Sequence, residues 1–263
     1  MIVREESDGS LLLIAQTDHS RLSGTFAAHW GNKDFDRPRP YEAAVRAANF
    51  HDCGWYRYET SPRLNEETGK TPNFMQVPLD REQLDAFQWG SDWLTDIDPY
   101  AGLLINRHRT GLWRGRYGAI RYPEAFNAKN LSETVEQFIA DNERRQKSEM
   151  TAFDEKEFLT NYRLLQVWDL LSLYFCVREI KEDSIDPVPT RYAEGPGSGV
   201  RMTVQPIDAV RVSIDPYPFD VPRLAFSVMG RRLPTTTFPN QAAFREAYYK
   251  CEPERIPFDL VPA

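Results

Sequence analysis

The sequence predicts a mostly α-helical protein with a small β-sheet drawn from both ends of the chain. Three observations lead there. Six segments between residues 17 and 177 carry apolar side chains at helical spacing between recognisable starts and stops. The first residues alternate as a hairpin does, and the chain beyond Asp186 turns Pro/Gly-rich and then β-branched.

In chain order, MIVREESDGSLLLIAQ reads as a hairpin: Ile2 and Val3, a polar Asp8-Gly9 turn, then Leu11 to Ile14. Thr17 can cap a helix through TDHSRLSGTFAAHW, with His19, Leu22, Phe26 and Trp30 near one face, and Gly31 and Asn32 stop it. Pro40 starts a second helix, PYEAAVRAANFHD, which Gly54 ends. Residues 56 to 80 hold four well-spaced Pro and Gly residues (Pro62, Gly69, Pro72, Pro78) and read as a long ordered loop, a common border of a site. REQLDAFQWGSDWLTD and the run Tyr100 to Trp113 supply the third and fourth helices. LSETVEQFIADNERRQKSEM supplies the fifth, with Glu133 and Thr134 favouring its first turn. The sixth runs from Asp154 to about Val177, and its Phe158, Leu165, Trp168, Leu171, Leu173 and Phe175 are expected to be deeply buried. Beyond the break PVPTRYAEGPGSG, the segments VRMTVQPI, AVRVSIDPYPF and RLAFSVMGRRL alternate as strands. The division expected is a helical domain over 1–186, preceded by its hairpin, and a strand-rich extension over 187–263 packed on it.

Composition narrows the function. The 263 residues are 41% hydrophobic and 13% aromatic, enough for one large core. Net charge is −7 with no block of Lys or Arg long enough to follow a phosphate backbone, which argues against a nucleic-acid polymer as partner. Cys53, Cys176 and Cys251 are odd in number and far apart, so neither a disulfide framework nor a thiolate zinc site is expected. The first residues are too charged for a secretory apolar core, and no apolar run approaches the roughly 20 residues of a membrane span. A cytoplasmic protein without membrane contact is expected; oligomerisation stays open.

The residues that stand out are few. The chain has four histidines, His19, His29, His51 and His108. His51-Asp52 closes a helix whose Ala44, Ala47 and Ala48 mark a small, inward face. Alone, the pair also serves as a helix cap, the imidazole set against the helix dipole. Asp169 sits inside LLQVWDLLSLYF, where a lone carboxylate is costly unless a cation meets it. Arg163 or a tryptophan N–H is the alternative partner. A metal ion would answer both burial problems, and His19, His51, Asp52 and Asp169 form a mixed N/O set suited to Mn, Fe, Co, Ni, Zn or Mg with open water positions. INRHRTGLWRGRYG gathers Arg107, Arg109, Arg114 and Arg116 around His108, either as a solvated basic face or as an anion clamp. Arg57 and Lys70 are weaker candidates of that kind. His29 reads as a rim residue, Trp55 and Cys53 as packed residues, and Glu59 as an exposed loop glutamate before a general acid or base. No Walker A, GxGxxG or GxSxG pattern is present.

The order His19, His51-Asp52, Asp169, the last within WDLLSL, resembles the H…HD…D signature of the HD-domain superfamily. Over roughly residues 15 to 180 the chain is similar to it, and TDHSRLSG, FHDCGW and WDLLSL also resemble a bacterial family of unknown function. The superfamily resemblance implies an HD-like helical bundle in which the four residues hold one divalent metal. It also implies a phosphohydrolase acting on nucleotides or other small phosphate esters. Two-metal members insert two further histidines before the last aspartate; this chain offers only His108, which implies a mononuclear site. His108 then serves as a phosphate or water contact or as a partial ligand of a weaker second ion, with an arginine such as Arg109 beside it. The competing expectation is a non-catalytic binding or regulatory protein with a structural metal.

Overall fold

A computed structural model describes residues 1–115, 131–177 and 180–263. Its helices are α1 (Gln16–Ala28), α2 (Tyr41–Phe50), the short α3 (Tyr56–Glu59), α4 (Arg81–Ile97), α5 (Pro99–Trp113), α6 (Glu133–Glu149), α7 (Glu155–Val177) and α8 (Gln241–Lys250). Its strands are β1 (Ile2–Glu5), β2 (Leu11–Ile14), β3 (Asp183–Val188), β4 (Val200–Pro206), β5 (Arg211–Asp215), β6 (Leu224–Leu233) and β7 (Glu254–Pro262).

The strands form one curled sheet in the order β1-β2-β6-β7-β5-β4-β3, antiparallel except where β5 runs parallel to β7. This overturns the expectation of a mostly α, HD-like bundle with a small sheet: the chain is 48% helix and 20% strand, a mixed α/β fold around a seven-stranded sheet. The difference comes from segments whose local signals are weak. β7 carries Pro257 and Pro262, which usually argue against an interior strand, yet it lies mid-sheet, paired with β6 from Leu224↔Leu260 to Gly230↔Glu254 and with β5 on its other side. β3 contains Asp186-Pro187 and takes its register from β4.

Helix ends follow from side-chain chemistry. Asp80, Asp98, Ser132 and Asn240 each accept a backbone N–H from the first turn of α4, α5, α6 and α8. α1 is different: its N-cap is Ala15, and Thr17 does not cap it. Glu59, from α3, accepts from the Gln16 and Thr17 amides and from the Thr17 hydroxyl instead. A carboxylate at a helix N-terminus is favoured by the exposed amides and the dipole. Glu59 is therefore buried and structural rather than an exposed loop residue.

The main core fills the space between one face of the sheet and α1, α2, α5 and α7. Phe175 of α7 lies 5.0 Å from Phe226 on β6 and 4.9 Å from Phe258 on β7, ring centre to ring centre. Five of the six α7 residues expected in the core are buried, and Leu173 is partly so. β2 is covered on both faces: Leu12 and Ile14 join the main core, while Leu11 and Leu13 pack with Leu233, Phe238 and the α8 residues Phe244 and Tyr248. No helix among the described residues is long and apolar enough to cross a membrane.

α1 and α2 approach closely because small residues face each other. Ala27, Ala44, Ala47 and Ala48 are buried between them, and a Cβ on Gly24 would stand 2.7 Å from Asn49 Cβ. In an ordinary helix Gly→Ala is stabilising by about 1 kcal/mol. Here Gly24→Ala is expected to destabilise by about 1–3 kcal/mol, as overpacking does. Gly197→Ala, with nothing within 4 Å of the new methyl, should stay near neutral. Urea unfolding of the two variants checks this.

Candidate metal centre

The four residues singled out as ligands, and the two expected beside them, converge on one buried cluster. α1 supplies His19, the C-terminus of α2 supplies His51, and the following 3-10 turn starts at Asp52. α5 supplies His108 and Arg109, and α7 supplies Asp169. The three histidines and two aspartates are each at most 4% exposed.

The distances describe a compact set of donors. His51 Nε2 is 3.3 Å from Asp169 Oδ1, and His19 Nε2 is 3.6 Å from the same oxygen and 3.2 Å from Asp52 Oδ2. His51 Nε2 is 3.9 Å from Asp52 Oδ2, and His108 Nε2 is 3.9 Å from Asp169 Oδ2. With bonds near 2.0–2.2 Å, ligand atoms on one ion stand about 3 Å apart when adjacent and about 4 Å when opposed. Donor atoms of His19, His51 and Asp169, and those of His51, Asp52 and His108, lie within 4.8 Å of one another.

Neighbours fix the way each imidazole faces. His51 Nδ1 is 2.8 Å from the Ala48 carbonyl, which can only accept, so Nδ1 carries the proton and Nε2 faces the cluster. That Nε2 is buried and faces Asp169 Oδ1 at 3.3 Å, without a well-aligned hydrogen bond among the described residues. His19 Nδ1 is 2.7 Å from Ser172 Oγ, whose own hydroxyl donates to the Asp169 carbonyl at 2.8 Å. The hydroxyl can therefore accept from His19 Nδ1, while Nε2 is hydrogen-bonded to Asp52 Oδ2 at 3.2 Å, the place where a metal ion would replace the proton. Such outer partners are what orient metal-ligating imidazoles.

Asp52 is gripped at both oxygens. Arg109 Nη2 donates to Oδ1, and Gln16 Nε2 donates to Oδ2 at 3.3 Å. The guanidinium also lies 3.9 Å over the Phe87 ring, and its Nε is buried without a partner. Burial works against the charge on Asp52, but Arg109 together with His19 and His51 holds its carboxyl well below the usual carboxylate range. Burial also pushes Asp169 up, and His51, then His108 and His19, outweigh it and hold it at about 2. For His51, burial is outweighed by Asp169 and Asp52, which raise its pKa. The potential at its Nε2 therefore favours a cation. Burial lowers His108 to about 3, so it is a neutral imidazole.

The remaining expectations fall around this cluster. His29 is half-buried and pairs with Asp220 at 3.0 Å. Arg163 reaches toward the Pro187 and Asp186 carbonyls. Arg107 stacks on Tyr162, Arg57 stacks on Trp89, Lys70 pairs with Glu5, and Arg114 pairs with Glu136 and Glu143. Arg116 lies outside the described residues. Trp55 is in the core, and burial pushes the Cys53 thiol up to about 12, so it is no thiolate nucleophile. Gln16 and Ser172 are neighbours of the cluster that the sequence did not mark, and Ser23 was marked only as an alternative partner of His19. Each stands at helical spacing from a cluster residue: Gln16 and Ser23 flank His19 on α1, and Ser172 follows Asp169 by one turn. Polar side chains on the face of a buried charge were the available signal.

A cavity of about 20 Å³ touches the cluster, lined by His51, Arg109, Asn106 and Thr110 among others. Beyond it, Gln146 bonds both Asn106 (2.6 Å) and Thr110 (3.0 Å) and also lines a 510 Å³ cavity with Arg107, Lys147, Glu143 and Glu155. A wall of buried amides thus separates the small cavity from the large one.

Comparison with known families matches residues 1–235 to a family described as protein of unknown function, DUF3891, and the chain belongs to that family. Comparison with curated proteins and with solved structures returned no match.

Because Asp52 and Arg109 are mutually desolvated, removing one leaves the other uncompensated. Arg109→Met is expected to cost about 3–5 kcal/mol of stability. The double variant Asp52→Asn/Arg109→Met should lose less than the sum of the two single variants. A double-mutant cycle by urea unfolding reads this directly.

Proposed function

We propose that this DUF3891 chain is a metal-dependent hydrolase of a small phosphate ester, holding one divalent ion on His19, His51, Asp52 and Asp169. The observation that carries the reading is the convergence of these four side chains, from three helices and the turn after one of them, at separations of 3.2–3.9 Å. The Nε2 of His51 supports it as well: it is buried between Asp169 Oδ1 at 3.3 Å and Asp52 Oδ2 at 3.9 Å, a position that favours a cation, whether a proton or a metal ion. The H…HD…D order in the sequence points the same way.

Such an ion makes water a competent nucleophile near neutral pH and polarises a phosphoryl oxygen. The chain's own residues do the rest. Ala48 and Ser172 hold the two imidazoles with their Nε2 atoms inward. Arg109 keeps Asp52 ionised, and its unpartnered Nε–H is the donor for a phosphoryl oxygen that arrives beside the cluster. The free thiols of Cys53, Cys176 and Cys251 suit the reducing cytosol.

One observation favours a second reading, a non-catalytic binding protein with a structural metal: the cavity touching the cluster is about 20 Å³, room for little more than one water. Turnover separates the two. Protein loaded with Mn, Co, Ni or Mg is expected to release inorganic phosphate from members of a panel of phosphate esters, with kcat/KM falling in Asp52→Ala by more than about a hundredfold, beyond the 10–100-fold typical of residues that only orient a ligand. Metal binding with no turnover across the panel selects the second reading.

Ser172→Ala tests the orientation of His19 in either case. Losing the hydroxyl that receives Nδ1–H is expected to weaken metal binding about 10–100-fold, read by calorimetric titration, and to cost the metal-free protein about 1–3 kcal/mol of stability, because Ser23 Oγ and His19 Nδ1 lose a buried partner.

A further inference from the structure

His108 has no settled place in the four-residue site, yet it is as buried as the ligands and is aimed at them. Its Nε2 lies 3.9 Å from Asp169 Oδ2, and its ring centre is 5.0 Å from that of His51. It can share an ion with His51 and Asp52, just as His19 and Asp169 can share one with His51. Two such sets suggest two ions, but His51 cannot serve both. Nδ1 is committed to the Ala48 carbonyl, so His51 offers only Nε2, and one imidazole nitrogen cannot bind two ions. The two sets thus cannot both be filled through His51, and one ion that draws on both is the simplest occupancy.

We propose that the cluster holds a single first-row transition-metal ion on five side chains, His19, His51, His108, Asp52 and Asp169, with His108 a ligand rather than a substrate contact. The inference rests on the metal-site reading above and not on hydrolysis. Asp52 binds through Oδ2 alone, because Oδ1 is held by Arg109. Asp169 presents Oδ1 to His19 and His51 and Oδ2 to His108, so its carboxylate spans the two halves of the set. The position of His108 is set by the amides beside it on α5: Asn106 Nδ2 bonds Asn142 Oδ1 (2.5 Å) and Ser91 Oγ (3.0 Å), tying the helix to α6 and α4. Three imidazoles with two carboxylates suit Mn, Fe, Co, Ni or Zn, whereas Mg prefers an oxygen shell that keeps several waters. With each of the five residues donating one atom, one position of an octahedral ion is left for water or substrate.

Cobalt supplies the test in the wild-type chain. Each ligating imidazole bound through Nε2 carries one Nδ1–H, and coordination to cobalt shifts that proton far outside the ordinary NMR range. Three shifted, solvent-exchangeable ring N–H signals are expected, with one cobalt per chain by native mass spectrometry. A large excess of magnesium should not displace the cobalt. His108→Ala should lose one of the three signals and bind cobalt more than about tenfold more weakly, while His29→Ala keeps all three. Two signals in the wild type, two cobalt ions per chain, or ready displacement by magnesium each overturn the proposal. Absence of cobalt binding overturns it together with the metal-site reading. Three signals without phosphate-ester turnover would sink only the hydrolase reading, and two signals with turnover would sink only this one.

Discussion

Burying two carboxylates side by side is the constraint on which this structure turns. An isolated ion of that size taken out of water costs several kcal/mol even after relaxation, and Asp52 and Asp169 are both almost inaccessible. The surrounding residues answer that cost in layers. Arg109 neutralises Asp52, Gln16 adds a donor, and three imidazoles face the remaining oxygens. What is left over is directional: lone-pair nitrogens and carboxylate oxygens all point at one small volume. A packing solution alone would have replaced such a cluster with apolar side chains, which is often neutral or stabilising.

The sheet matters to the site through α7. Asp169 lies on a helix whose far end is wedged by Phe175 between Phe226 and Phe258 of the central strands. The opposite wall comes from α1, set by a short chain of contacts. Glu59 caps its N-terminus, Gly24 lets it close on α2, and Ser23 on its inner face donates to Ser172 of α7 at 2.9 Å. The position of His19 relative to Asp169 thus depends on strands more than fifty residues beyond Asp169 in the chain. Helical segments without that sheet would lack the clamp on α7.

Long-range dependence also explains which features could be read in advance. The six long helices were visible because caps and apolar periodicity are local signals, and the cluster was visible because each of its charges was anomalous in an apolar context. Asp52 and Asp169 could be named from that anomaly; His19 and His51 joined them through the H…HD…D order, and His108 and Arg109 through the arginine-rich stretch that holds them. The sheet could not be sized the same way. β7 is held in place by β5 and β6 rather than by its own proline-bearing sequence, and β3 becomes a strand only beside β4. Glu59 was misjudged for the same reason: its partners, Gln16 and Thr17, are 42 and more residues away. Gln16 and Ser172 were legible in principle, by helical spacing, once His19 and Asp169 had been chosen.

The arrangement also restricts how an anionic ligand could use the site. Arg109 cannot leave Asp52 without stranding a buried charge, so it can meet an anion only through N–H groups that Asp52 does not occupy, and its Nε is one such group. His108 is neutral and turned toward Asp169, so it adds no positive charge toward a ligand. Attraction for an anion must then come chiefly from a cation within the cluster itself. The carboxylates that make the site attract a metal would otherwise repel a phosphate, and a bound divalent ion reverses the sign of that field. On the proposed metal-site reading, metal binding and anion binding would be coupled in order: the ion first, the anion after it.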